Sequence, residues 1–487
     1  MSANVAASCA VVKWARKKIP YNRAMPARPQ HDTAADIDVV GRLAAEIAGA
    51  PPAPPSALAR AADALTDTLA CILASKDEPV VRALFDGGAI PARGECVVPG
   101  FGRADAVDAA LCNATAAHAQ DFDDYHGPSI AHAGAPLVAV CLALGECENA
   151  GGARVLDAHV HGLQAMRALG DLLCSEHYTH GWHATSTIGA LGAAAAGARL
   201  LRLDATRAAA AVSLASSMAG GFLSQIGTMA KPLHAGFAAQ SGARAALLAR
   251  AGITASPRAV QGPRGALQLW MPTGAAARAD VIADGYSIET DGLFVKRYPC
   301  CGYILRPVDA ALDIASRDGF RAGEVRAAKL SAPARHLKVV EYENPQNSLQ
   351  ARFSYHFCVA AALAHGELTN EHFSPRNLQD PAVRELMAKI CVEGYPVAPE
   401  TPDNAAEIPD ILKVEMHDGA VFECSVGEPL GAPSRPLTRD ALLAKLWDNN
   451  RHRALAARRA QIDAALQNAA ELESIKDLTE LLCATAD

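Results

Sequence analysis

Long Ala- and Leu-rich runs, broken only by single Gly or Arg residues and short polar stretches, most limit what this 487-residue chain can fold into. Residues 136–150, 153–173, 188–200, 205–218 and 238–251 read as helices, with few β-branched runs between them. Before them, Ile37 to Ala48 reads as an amphipathic helix stopped by Gly49 and the prolines that follow, and Ser56 caps a helix through Leu73. Together these predict an α-helical core. No apolar run is long enough to span a bilayer, so no membrane partner is expected. A chain of this length calls for two or three cores.

The texture changes near Asp284. Residues 285–294 read as loop and strand, 324–340 as strands, and 411–426 as a hairpin turning at Asp418-Gly419, with helices at 308–316, 351–364 and 381–390. Helical patterning returns from Thr438. The expected fold is therefore mainly α: a large discontinuous all-helical domain, 36–284 and 431–487, with a smaller α+β lid domain, 285–430, inserted in it. Residues 1–35 are set apart as a basic arm. They read as a disordered extension in preference to a mitochondrial-type targeting segment.

Charge and cysteine usage narrow the function. The net charge is −7, yet the chain before Asp32 holds six basic residues and no acid, leaving about −13 for the rest. That excludes non-specific nucleic-acid binding, and an anionic substrate must be drawn by a local basic cluster. Thirteen cysteines, with no Cys-x-x-Cys pair, fit a reducing, cytoplasmic compartment.

Four clusters carry the chemistry. The first, His118 to Gly134, packs Asp121, Asp123, Asp124, His118, His126 and His132 between two apolar runs. It reads as a loop held by two buried helices, although a solvated Asp-rich turn fits the same residues. The second is His177 to Thr185, where Gly181-Trp182 places His183 at the mouth of a helix, suited to acid/base work. Its three histidines also admit a metal, or one imidazole merely packed on Trp182. In the third, Lys231 and His234 lie three apart around Pro232, and the lysine is either a carboxylate anchor or a surface residue. The fourth, Phe294 to Tyr303, brings Lys296 to the expected domain junction. Dinucleotide, Walker and nucleophile-elbow motifs are absent, which favours cofactor-free proton transfer on an anionic substrate.

These segments, His118-x-x-Asp121-Phe122-Asp123-Asp124, Gly181-Trp182-His183, Lys231-Pro232-Leu233-His234, Lys296-x-Tyr298-Pro299-x-Cys301 and Ala351-Arg352-Phe353-Ser354, resemble those of the MmgE/PrpD family in order and kind. That family includes enzymes of the 2-methylcitrate dehydratase, cis-aconitate decarboxylase and iminodisuccinate epimerase type. The resemblance implies a homodimer without metal or organic cofactor and a site between the domains. It implies that Asp121, His132, His183, Lys231 and Lys296 form that site; the expected roles are catalytic for Asp121, His132 and His183, and substrate contact for Lys231, His234, Lys296 and Tyr125. Tyr125 stands where the family usually has Thr, Ala133 where it has Pro, and Leu305 where a His is common. Phe357 aligns with a decarboxylase-branch Tyr, with Tyr355 close by.

The expected function is a lyase or isomerase that moves a proton next to a carboxylate of a small di- or tricarboxylate. Dehydration, decarboxylation and epimerisation all fit these residues. An inactive carboxylate-binding homologue and a metal-dependent hydrolase are the alternatives. Removal of residues 1–31 is expected to leave the melting temperature and activity unchanged, because the arm lies outside every patterned segment. Aggregation or a clear drop in melting temperature would show that the arm is anchored.

Overall fold

A computed structural model of the chain describes residues 38–91, 93–271, 285–398, 401 and 405–483, so the basic arm lies outside the described residues. The fold is mainly α. Its centre is the Gly134–Cys147 helix, apolar on every side and buried along nearly its whole length. Around it stand the helices Pro55–Ala74, Ala106–His118, Gly152–Thr179, Ala184–Leu200 and Ala230–Arg250. Alanine and glycine on the facing surfaces let these backbones come close while losing little side-chain entropy. At Gly242 an added Cβ would overlap the Ala193 methyl, so this helix pair closes only on glycine.

Buried apolar side chains form two clusters. The first draws on residues between 39 and 288 and again between 443 and 482. The second lies between 298 and 416. It is built on a four-stranded sheet ordered Ile390–Tyr395, Val325–Pro333, Asp410–Met416, Val421–Val426. The first pair is parallel and the other two are antiparallel, with Leu330 opposite Leu412 and Leu412 opposite Cys424. Leu412, Val414 and Met416 point inward by the two-residue period. The helices Leu305–Ala315 and Tyr355–His365 supply the rest of this core.

The hairpin forms where expected, with Gly419 in the left-handed region at φ +92°. Other segments differ from their sequence pattern. Residues 285–294 hold one helical turn, Ser287–Thr290, because Gln164 accepts from the Ser287 amide and Asp291 from its hydroxyl. Between 324 and 340 the only strand is Val325–Pro333, and its terminal proline brings no N–H to extend the ladder. The expected 153–173 helix runs on to Thr179, held by His177, which bonds Thr187 and stacks on Trp182.

One core residue predicts acid sensitivity. His159 is buried, and neither ring nitrogen has a partner among the described residues. Burial pushes its pKa down to about 4, against about 6.5 for an unfolded chain. As pH falls the unfolded chain therefore takes the proton first. The stability from keeping this ring neutral is present above pH 6.5 and is lost between 6.5 and 4. His159→Leu is expected to remove about 2 kcal/mol of the stability lost between pH 7.5 and 5, read by denaturant melts at both pH values. An unchanged difference would show that the ring is solvated.

Candidate active site

The Asp/His loop spans the gap between the Ala106–His118 and Gly134–Cys147 helices. Asp121 adopts φ +50°, a conformation that costs a residue with a Cβ about 1–3 kcal/mol and must be held by its surroundings. Lys231 lies in the first turn of the Ala230–Arg250 helix, where Pro232 is tolerated because first-turn amides lack helical acceptors. The helix thus begins earlier than its apolar period suggests, and this brings Lys231 and His234 inward. His183 is the N-cap residue of the Ala184–Leu200 helix, and its amide donates to the Gly221 carbonyl at 3.0 Å.

These elements converge on one buried carboxylate. Lys231 Nζ donates to Asp121 Oδ1 at 2.6 Å. Lys296 Nζ donates to the Asp121 carbonyl at 2.7 Å and lies 3.2 Å from Oδ1. His132 stands between two acids, with Nε2 3.4 Å from Asp121 Oδ1 and Nδ1 3.3 Å from Asp123 Oδ1. Asp123 also takes His118 Nδ1 at 2.9 and 3.0 Å, and the His118 and His132 rings meet edge to face. His183 Nδ1 is 3.0 Å from His234 Nδ1, which leaves His183 Nε2 as the nitrogen available to the cavity.

Burial and charge set the protonation states. Burial alone would raise Asp121, but Lys231 and Lys296 outweigh it and hold the carboxyl well below the usual range. Asp123 is likewise held low against its burial by His118 and His132. Burial lowers His132, and lowers His183 further with the help of the Lys231 charge. His118 is pushed down to about 3 and His234 to about 4, mainly by burial. Asp124, buried beside Asp67, is pushed up to about 8 and accepts from the Gly134 amide at 2.8 Å. Near neutral pH the site therefore holds ionised Asp121 and Asp123 beside neutral imidazoles, an arrangement able to take up and return a proton.

A cleft of about 600 Å³ opens onto this cluster. Asp121, Tyr125, His132, His183 and Lys231 line it, together with Ile226, Tyr303 and Phe353. Tyr125 stacks on Phe294 with ring centroids 4.6 Å apart. Lys296 and His234 stand one layer behind, against Asp121 and His183, and do not line the cleft. His177 is buried against Trp182, while His180 lies on the protein surface. Leu305 and Phe357 belong to the second core. Sequence reasoning placed His118 and Asp123 in the first cluster but gave neither a role of its own. Lys445 was missed altogether: it donates to Asp67, to the Phe122 carbonyl and to the Lys296 carbonyl beneath the site.

Comparison with known proteins adds the lineage. Residues 42–278 match the model of the MmgE/PrpD N-terminal domain, and residues 298–471 that of the C-terminal domain. The human cis-aconitate decarboxylase is 27% identical over 353 residues, 70% of this chain and 72% of that protein. The mouse enzyme of the same name is 26% identical, covering 77% and 78%. A cis-aconitate decarboxylase-like protein of Aspergillus oryzae is 26% identical over 459 residues, covering 88% and 93%.

His118, Asp121, Asp123 and His132 each place a ligand-type atom within 4.8 Å of the others, so the group has the spacing of a metal site. The charges around it argue otherwise. Two ammonium groups already lie on Asp121, and both Asp123 oxygens face His118 Nδ1. A divalent cation here would have to displace or oppose both lysines. Excess chelator is expected to leave the melting temperature unchanged. A loss of several degrees, reversed by one specific metal, would show that these four donors hold an ion.

Proposed function

The chain belongs to the MmgE/PrpD family, and from that premise we propose that it is a cofactor-independent lyase acting on a small di- or tricarboxylate. The reaction is a dehydration or decarboxylation that passes through proton transfer next to a carboxylate. The observation that carries this reading is the convergence of Asp121, Lys231, His132 and His183 on one cleft. The curated relatives named cis-aconitate decarboxylase support it.

In this reading His183 Nε2 and His132 exchange protons with the substrate carbon or its leaving group. Both imidazoles are neutral and can accept a proton. Asp121 orients His132 through Nε2, or itself takes the proton on Oδ2, which has no partner among the described residues. Lys231 has two N–H groups beyond the one given to Asp121, and these hold a substrate carboxylate. As charge develops on the enolate-like intermediate, the Lys231 charge stabilises it among buried side chains. Lys296 acts from behind by fixing Asp121, and His234 by fixing the His183 ring. Tyr125 contacts the substrate from the cleft wall. Residues 285–430 serve as a lid over a discontinuous helical domain formed by 36–284 and 431–487. The protein works as a cytoplasmic homodimer.

The test is carbon–hydrogen exchange in deuterium oxide, followed by NMR over citrate, 2-methylcitrate, cis-aconitate and iminodisuccinate. Exchange on at least one acid is expected, and silence on all four would overturn the reading. His183→Ala is expected to lower kcat by about 10²–10⁴-fold with little change in KM. Lys231→Ala is expected to lower kcat/KM by about ten- to hundred-fold. Loss of that charge also raises the Asp121 pKa, so the acid limb of the pH profile moves to higher pH. Equal, mild effects of the two substitutions would show that neither residue takes part.

A further inference from the structure

Lys445 stands on the Arg439–Asn449 helix, far along the chain from the clusters that form the cleft. Its side chain is 5% exposed. The ammonium donates to Asp67 Oδ1 at 2.6 Å, the Phe122 carbonyl at 2.8 Å and the Lys296 carbonyl at 3.0 Å. A lysine has three N–H groups, and here each has one acceptor. The charge also lies 3.8 Å from the centroid of the Phe122 ring.

The three acceptors have distinct positions. Asp67 lies on the Pro55–Ala74 helix and anchors the ammonium from below. Phe122 directly follows Asp121. Lys296 is the residue whose own Nζ donates to the Asp121 carbonyl and lies on its carboxylate. A ring is thereby closed: Lys445 holds the backbone of Lys296, the Lys296 side chain holds Asp121, and the next carbonyl returns to Lys445. Asp121 keeps its left-handed φ of +50° within this ring. Two carbonyls and a carboxylate around one buried point need a cation with several donors, and no apolar side chain of similar length replaces it.

We propose that Lys445 is a positioning residue of the cleft. It touches no substrate; it fixes Asp121 relative to Lys296, and so ties the C-terminal helical segment to the acid–base groups. The kinetic consequence rests on the proton-transfer reading above, whereas the geometric one does not.

The experiment compares the full-length wild type with Lys445→Met and Lys445→Arg by two readouts. One is kcat for carbon–hydrogen exchange per folded molecule, the folded fraction being read by circular dichroism. The other is acetylation of Lys296 in the native protein, followed by mass spectrometry; this side chain is fully buried, so slow labelling is expected in the wild type. Lys445→Met is expected to lower kcat by about 10- to 100-fold and to speed Lys296 labelling by about tenfold, with other lysines unchanged. Lys445→Arg, which keeps the charge and several donors, is expected to recover most of both. If the Met variant does not fold, Lys445→Gln carries the same two readouts. A folded Met or Gln variant with wild-type kcat and wild-type Lys296 labelling overturns the proposal. So does faster labelling of all lysines together, which marks general loosening. A wild type silent toward every acid overturns the proton-transfer reading instead, and Lys296 labelling then decides the role of Lys445 alone.

Discussion

The structure around the cleft depends on keeping one carboxylate, Asp121, ionised inside the protein. An isolated buried carboxylate is strongly unfavourable and would take up a proton. Here the cost is offset by Lys231 and Lys296, which lie 110 and 175 residues further along the chain. Much of the long-range architecture can be seen as the means of delivering those two ammonium groups. One comes from the first turn of a helix in the first core, the other from the segment leading into the second.

Around that pair the charges nearly balance. Asp67 is paired with Lys445 and Asp121 with Lys231 and Lys296, Asp123 lies against His118 and His132, and burial, helped by Asp67, raises Asp124 to about 8. The imidazoles beside them are held neutral. The cleft therefore presents fixed dipoles and movable protons instead of a large standing positive potential. Such preorganised dipoles act on charge as it develops and need little rearrangement when it does.

Much of this was legible in the sequence, for reasons that differ by element. The buried helices announced themselves because Ala and Leu at helical spacing have few other uses. The Asp/His loop stood out because clustered carboxylates are rarely spent on packing. What escaped was decided by tertiary contacts. Residues 285–294 read as loop and strand, yet Gln164 and Asp291 wind their middle into a single turn. His177 joined the preceding helix because Thr187 and Trp182 hold it there. Lys445 carries no mark at all in the sequence: a lysine within an amphipathic helix looks like any solvated one, and only the carbonyls converging on it from Phe122 and Lys296 reveal its burial.

The cleft has walls of different origin. Asp121, His132, His183 and Lys231 all stand on chain that packs in the first core, whereas Tyr303 and Phe353 come from the second. Lys296 lies at the seam, but its carbonyl is fastened to Lys445 and its ammonium to Asp121, so it stays with the first. The two walls meet at the site itself: Tyr125 of the Asp/His loop packs against the second core, and the Lys231 ammonium lies 5.2 Å from the centroid of the Phe353 ring. A change of side chain at Tyr303 or Phe353 alters the width of the cleft yet removes none of the groups spaced 2.6 and 3.4 Å about Asp121. The side chains that set the size of the cleft are thus different residues from the acid–base groups it encloses.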